Sequence, residues 1–361
     1  MSVIGGRVRI LALAALTTGG LSASPVFHFT LGGGITVGDP VYTGFQMAAA
    51  RWSSVLTNNV TVNVTIGYKS LGSGILGQTT NTGYDVADST LKAALASHAT
   101  SANDAVAVAH LQAPGSNDFV INHTNDCGNC TAVYDSTGLK FDNTHESVTG
   151  AEAKALGLMS ANNSASDGEI DFSSNFNFDF NPSDGISSNA YDFVGVATHE
   201  LGHLLGFVSS VDDFDYCGAL LNCVTYRPNS ALAESEDDPT VLDLFRYSTN
   251  SGYGTVMDLS ADTRAKYFSI DGGATLGAQF AAGVNFGDGR QASHWKDNLG
   301  LGIMDPTAAP GELLGISRND LTAMDVIGWS LAVPEPGTAV LAVLGLAVAA
   351  RRLRNRQHNI V

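Results

Sequence analysis

The chain has 361 residues, with 35 acidic against 18 basic ones and a formal net charge of −17 at pH 7. A field of that sign disfavours nucleic acid as a partner. Forty glycines and few lysines beside this acidic balance suit an exported, soluble protein. Residues 1–23 carry Arg7 and Arg9, an apolar run over 10–16, and small residues around Ser22 and Ala23. That order reads as a secretory signal peptide cleaved near Ala23 or Ser24. The opposite end is also basic, with Arg351, Arg352, Arg354 and Arg356 against Glu335. Setting aside two arginines at one end, and four arginines and one glutamate at the other, leaves 12 basic and 34 acidic residues, a body of about −22. About 310 residues remain there, enough for one large domain of two lobes or two modest domains.

Within the body, residues 27–31 read as a strand. Phe45, Ala48, Ala49, Trp52, Val55 and Leu56 recur at helical spacing, with Trp52 in the core. Val60, Val62, Val64 and Ile66 alternate with polar residues as a half-buried strand does. Four cysteines form two close pairs, Cys127 with Cys130 and Cys217 with Cys223. An even count in an exported chain favours two local disulfides over a redox centre or half of a zinc site. From Ile170 to Phe180 apolar residues alternate with polar ones, which predicts two short strands joined by a turn and a phenylalanine stripe in the core.

Residues 199–206 read His-Glu-Leu-Gly-His-Leu-Leu-Gly. On a helix His199 and His203 lie on one face, a turn apart, and two imidazoles so spaced can hold one divalent metal, typically Zn2+. Glu200 is adjacent without being a ligand, placed as general base toward a water acidified by the metal. The bland alternative is a surface helix with two solvated histidines. Residues 191–197 and then Leu201, Leu204, Leu205 and Phe207 make the helix apolar instead, and buried imidazoles beside a buried glutamate are costly unless something satisfies them. Gly206 can take the left-handed conformation that ends a helix sharply.

Up to Gly206 the stretch resembles the metzincin pattern H-E-x-x-H-x-x-G-x-x-H, which implies a third ligand where Ser209 stands, and a hydroxyl is a poor zinc ligand. Asp212 and Asp213 are near candidates, within an acidic loop at 212–215, and His294 is a distant one. The acidic runs at 212–215 and 234–238 also admit Ca2+, although no regular oxygen-ligand spacing marks them as more than solvated loops.

The order His199-Glu200, His203, Gly206, then Ser293-His294-Trp295, then Met304 resembles leishmanolysin-like metalloproteases of the metzincin type. The resemblance spans roughly residues 27–330. It implies an α+β, two-lobed zincin fold, with the active-site helix between a mixed-sheet lobe and a smaller C-terminal lobe. It also implies His294 as the third ligand and Met304 as the floor beneath the metal. On this reading the protease domain covers 24–332: an N-terminal lobe to about 206, an insertion at 207–290 that covers the cleft, and a C-terminal lobe at 291–332. The strand at 170–180 would form the cleft's upper rim. A helical patch is expected near 241–245, and Ser317 with Asp320 forms a capping box for a helix that ends near Gly328.

Residues 333–361 hold Val-Pro-Glu-Pro-Gly, an apolar run over 338–350 and the arginine cluster. They resemble the PEP-CTERM sorting signal of Gram-negative bacteria, which implies an exosortase-type partner. The run is short for a transmembrane helix, which needs about 20 residues, so membrane association through the tail would be transient. The resulting expectation is an exported zinc endopeptidase of the cell envelope, surface or extracellular matrix, acting on a protein or peptide substrate. The alternative is a non-catalytic envelope or matrix protein with a structural zinc site.

Overall fold

A computed structural model of the chain describes residues 23–122, 132–136, 142–214, 238–250 and 254–332. Residues 1–22 of the expected signal peptide, residues 215–237 of the acidic loops and the sorting tail from 333 lie outside the described residues. So do all four cysteines: the expected disulfides, Cys127 with Cys130 and Cys217 with Cys223, fall on stretches for which no structure is described.

In chain order the strands are β1 (Val26–Leu31), β2 (Thr61–Lys69), β3 (Gly77–Asn81), β4 (Gly83–Ala87), β5 (Phe119–Asn122), β6 (Ala132–Asp135), β7 (His145–Thr149), β8 (Gly168–Ser173), β9 (Phe178–Asp179), β10 (Tyr191–Asp192), β11 (Arg246–Asn250), β12 (Gly254–Met257), β13 (Lys266–Phe268) and β14 (Gln279–Phe280). The helices are α1 (Pro40–Ser53), α2 (Asp88–His98), α3 (Ala102–His110), α4 (Gly150–Ala155), α5 (Phe193–Leu204) and α6 (Arg318–Val326). This is a mixed helix-and-sheet architecture. None of the described helices is long and apolar enough to cross a membrane.

The first sheet has the order β1-β2-β8-β3, with β1, β2 and β8 parallel and β3 antiparallel at the edge. In β2 the β-branched residues Val62, Val64 and Ile66 are buried and alternate with half-buried Thr61, Asn63 and Thr65, the period a half-covered strand demands. Helix α1 starts on the side chain of Asp39, which accepts from the Tyr42 N–H, and has proline at its first position. It buries Phe45, Ala48, Ala49 and Trp52 against α5 and the sheet. Phe45 meets Phe172 of β8 and Phe193 of α5 at ring-centroid distances of 5.2 and 5.5 Å, so one aromatic cluster joins both helices to the sheet. Ile170, Phe172 and Phe178 are buried, as the stripe predicts.

Two expectations change. From the 170–180 segment only Phe176 reaches the cleft wall: β8 lies inside the sheet, and β3 is the edge strand that runs against α5. The sequence Gly-Gln-Thr-Thr-Asn carries no apolar alternation, because β3 is partly exposed on both faces. Nor do the described residues of the insertion spread over the cleft. They build a second sheet of order β12-β11-β13-β14, after a 3-10 turn at Leu242–Phe245, and supply only Val208 and Arg290 to the cleft wall.

Candidate metal centre

Helix α5 opens on Asp192, whose carboxylate accepts from Gly195 N–H at 2.8 Å and from Leu314 N–H at 3.1 Å, fixing its first turn to the chain beyond the cleft. It closes where Phe207 N–H reaches Gly202 C=O (3.0 Å) and Gly206 N–H reaches His203 C=O (3.1 Å), the paired bonds of a glycine stop. Gly206 has φ +113°, and a Cβ there would stand 2.9 Å from the buried Glu152 carboxyl, so both backbone and space require glycine.

His199, His203 and His294 converge. Their Nε2 atoms are separated by 3.0 Å (199–203), 3.2 Å (203–294) and 3.2 Å (199–294). Each Nδ1 faces a backbone carbonyl: Ile303 O at 2.7 Å, Phe207 O at 2.7 Å and Gln291 O at 3.1 Å, for His199, His203 and His294 respectively. A carbonyl only accepts, so each Nδ1 carries the proton and donates it. Every neutral ring therefore turns a bare Nε2 lone pair inward. Three lone pairs about 3 Å apart repel one another unless a cation sits among them. Nitrogens held at 2.0–2.1 Å by a tetrahedral zinc stand about 3.3 Å apart, so this donor set fits such an ion closely. Burial and the neighbouring imidazoles push His203 down to about 3 and hold His294 well below its ordinary range, which keeps both rings neutral. Among the described residues this is the one group of three or more such side chains with metal-holding spacing.

Glu200 is 5% exposed and turned toward the edge strand. The Thr79 hydroxyl on β3 lies 2.7 Å from Glu200 Oε2 and 3.0 Å from the Glu200 carbonyl. A Cβ at Gly77 would stand 2.8 Å from Oε1, so the strand's glycine makes room for the acid. Burial raises the Glu200 carboxyl above its usual range, while His199 and the Thr79 hydroxyl pull it back. Glu200 and the histidines open onto a cleft of about 620 Å³. Val196, Ile303, Pro306 and Leu314 give it apolar walls, and Asn81, Arg290 and Ser293 give it polar ones.

Met304 is fully buried beneath α5, and a Cβ at Gly202 would come within 2.5 Å of its sulfur. Asp320, legible in the sequence only as a helix cap, also holds this floor: its carboxylate accepts from Ile303 N–H (2.9 Å), Met304 N–H (3.3 Å) and Trp295 Nε1–H (2.8 Å). Neither Asp212 nor Asp213 belongs to the histidine group. Asp212 instead accepts from two backbone N–H groups, and Ser209 donates its hydroxyl to Asp243 at 2.6 Å. Sequence reasoning missed Thr79, Asp320's second role and the buried Arg246. A lone threonine or arginine carries no periodic signal, and the partners of all three are backbone groups or residues distant in sequence.

Residues 332–357 match the PEP-CTERM protein-sorting motif. No curated protein and no solved structure matches the chain. The motif covers 26 residues at one end, so it speaks for the tail and not for the body. It marks an exported protein of the bacterial envelope whose C-terminal tail is the recognition signal for an exosortase.

Proposed function

We propose that the body is a zinc-dependent endopeptidase of the metzincin type, two-lobed, with α5 between the mixed sheet and a smaller C-terminal lobe. One observation carries this reading: three inward-facing Nε2 lone pairs, each fixed by a carbonyl at Nδ1, stand beside a buried glutamate on an open cleft. His199, His203 and His294 hold the metal. A zinc ion held there would supply Lewis acidity, toward the scissile carbonyl and toward a water that must lose a proton near neutral pH. Glu200 accepts the proton of the attacking water at a carboxylate oxygen, then gives it to the departing amine nitrogen. Its raised affinity for a proton, from burial, suits both halves of that transfer. The outer edge of β3 offers main-chain N–H and C=O groups to an extended peptide, which aligns the scissile bond along the cleft. On this reading the activity belongs to the cell envelope, surface or extracellular matrix of a Gram-negative bacterium, with transient membrane association through the tail, and the sorting motif at 332–357 supports export.

The test is cleavage of casein by the purified protein, beside Glu200→Ala. Cleavage by the wild type, abolished by a chelator and lost in a mutant that still binds one zinc, is the expected result. Zinc bound without cleavage would favour a structural site, and loss of zinc in Glu200→Ala would make that residue a ligand rather than a base.

A further inference from the structure

His294 is 91 residues from His203 in the chain, so something must bring it to the other two and keep it there. It lies on an antiparallel ribbon formed by residues 279–283 and 290–296. Ala281 N–H bonds to His294 C=O (2.9 Å), Lys296 N–H to Gln279 C=O (2.8 Å), and Gly283 N–H to Arg290 C=O (3.1 Å). Two side chains grip the ribbon, and one of its own docks it. Asp212 Oδ1 accepts from Val284 N–H at 2.7 Å and Oδ2 from Ala292 N–H at 2.6 Å, so one carboxylate spans both arms. Arg246, 1% exposed, donates from Nη2 to Ala281 C=O at 2.6 Å and from Nη1 to Ala292 C=O at 3.4 Å. Both backbone groups of Ala292, two residues before the histidine, are therefore held by charged side chains. Ser293 Oγ accepts from Ser209 N–H at 2.9 Å, so the residue next to His294 is docked on the segment that follows the glycine stop.

We infer that Asp212, Arg246 and the Ser293–Ser209 contact act as positioning residues that make His294 a ligand, and that this is what the 207–290 insertion contributes to the centre. The inference rests on the metal-centre reading. None of the three touches the imidazole: they act on the peptide groups around it. Hydrogen bonds to charged groups are about twice as strong as neutral ones, and a ribbon held at both arms leaves the ring little freedom to lose on binding. Supporting contacts of this order typically change metal affinity about 10–100-fold. Ser209 stands where a short-spaced third ligand would, and here it anchors the neighbour of a distant one.

The experiment measures Co2+ affinity of the full chain by chelator competition, together with the visible spectrum of the cobalt form. Asp212→Asn keeps size but turns an NH2 group toward one of the two backbone N–H donors. It is expected to weaken binding about 10–100-fold and to shift the spectrum toward that of His294→Ala. Asp88→Asn is the control, because Asp88 is buried in an ion pair with Lys92 (2.7 Å) on α2, which packs on α3, β4 and β7 rather than on the ribbon. It is expected to lower thermal stability and leave affinity unchanged. Wild-type affinity in Asp212→Asn, or an equal loss in Asp88→Asn, overturns the proposal. If Asp212→Asn does not fold, Ser293→Ala decides: a several-fold loss is expected, and no loss overturns it. A wild-type chain that binds no cobalt, or a His294→Ala variant that binds it normally, defeats the metal-centre reading itself.

Discussion

Two pieces of chain meet at the candidate metal centre and reach it by different physics. Helix α5 brings His199 and His203 together through its own geometry: four residues, one turn, and a helix kept in place by apolar neighbours. The ribbon at 290–296 has no such internal rule. Its histidine is aimed by Trp295, whose ring stacks on Phe280 at 4.9 Å and meets Phe207 edge-on at 4.9 Å, and by charged side chains that hold its backbone. A ligand pair set by local geometry tolerates changes elsewhere in the fold, whereas a ligand set by tertiary contacts does not.

The strongest way to break this contrast is to remove one ligand from each side. Zinc sites of four ligands bind with about 10–16 kcal/mol, so one histidine accounts for roughly two to three orders of magnitude in affinity. His203→Ala and His294→Ala are both expected to lose that much by isothermal titration. A wild-type affinity in either would remove that residue from the ligand set. Asp320→Asn probes the ribbon's support without touching a ligand. The side chain is fully buried and accepts from Ile303, Met304, Ser317 and Trp295, so losing one acceptor oxygen should cost about 2–4 kcal/mol, read from urea unfolding. A cost below about 0.5 kcal/mol would mean that the floor is held by packing alone.

A third prediction uses pH. His203 is held down to about 3 in the metal-free fold, below its unfolded value of 6.5, so the unfolded chain binds more protons between these limits. Stability from this group is complete above about pH 6.5 and is lost as pH falls toward 3. The melting temperature of metal-free protein should drop across that window, and less so in His203→Ala. An identical drop in the variant would assign it to other groups. The smallest effect is expected at Thr79, whose hydroxyl lowers the proton affinity of Glu200. In Thr79→Val the Glu200 carboxyl rises, so the acid limb of kcat/KM moves to higher pH with a few-fold loss of rate, while Thr79→Ser restores both. An unmoved acid limb would show that the contact serves only to hold the edge strand.

Much of the local structure was legible. The alternation of Val62, Val64 and Ile66, the helical recurrence of Phe45, Ala48, Ala49 and Trp52, and the Ser317–Asp320 capping box each report a local period or cap and stand where the pattern predicts, while Val55 and Leu56 of the same recurrence fall beyond the helix end at Ser53. The edge strand β3 was not legible, because a strand partly exposed on both faces writes no period into its sequence. The acidic residue Asp212 was read as a candidate ligand because composition shows that a carboxylate is present and not which donors it meets.

By itself the sequence determined the helix that bears His199, Glu200 and His203, the glycine that ends it and the sorting tail, since each depends on residues adjacent in the chain. Only the tertiary structure decided which distant histidine joins the pair, which strand rims the cleft, and that Asp212 holds a backbone. Those outcomes depend on which hydrogen-bond donors are left to be satisfied once the sheets and the aromatic core have packed, and no spacing within the chain encodes that.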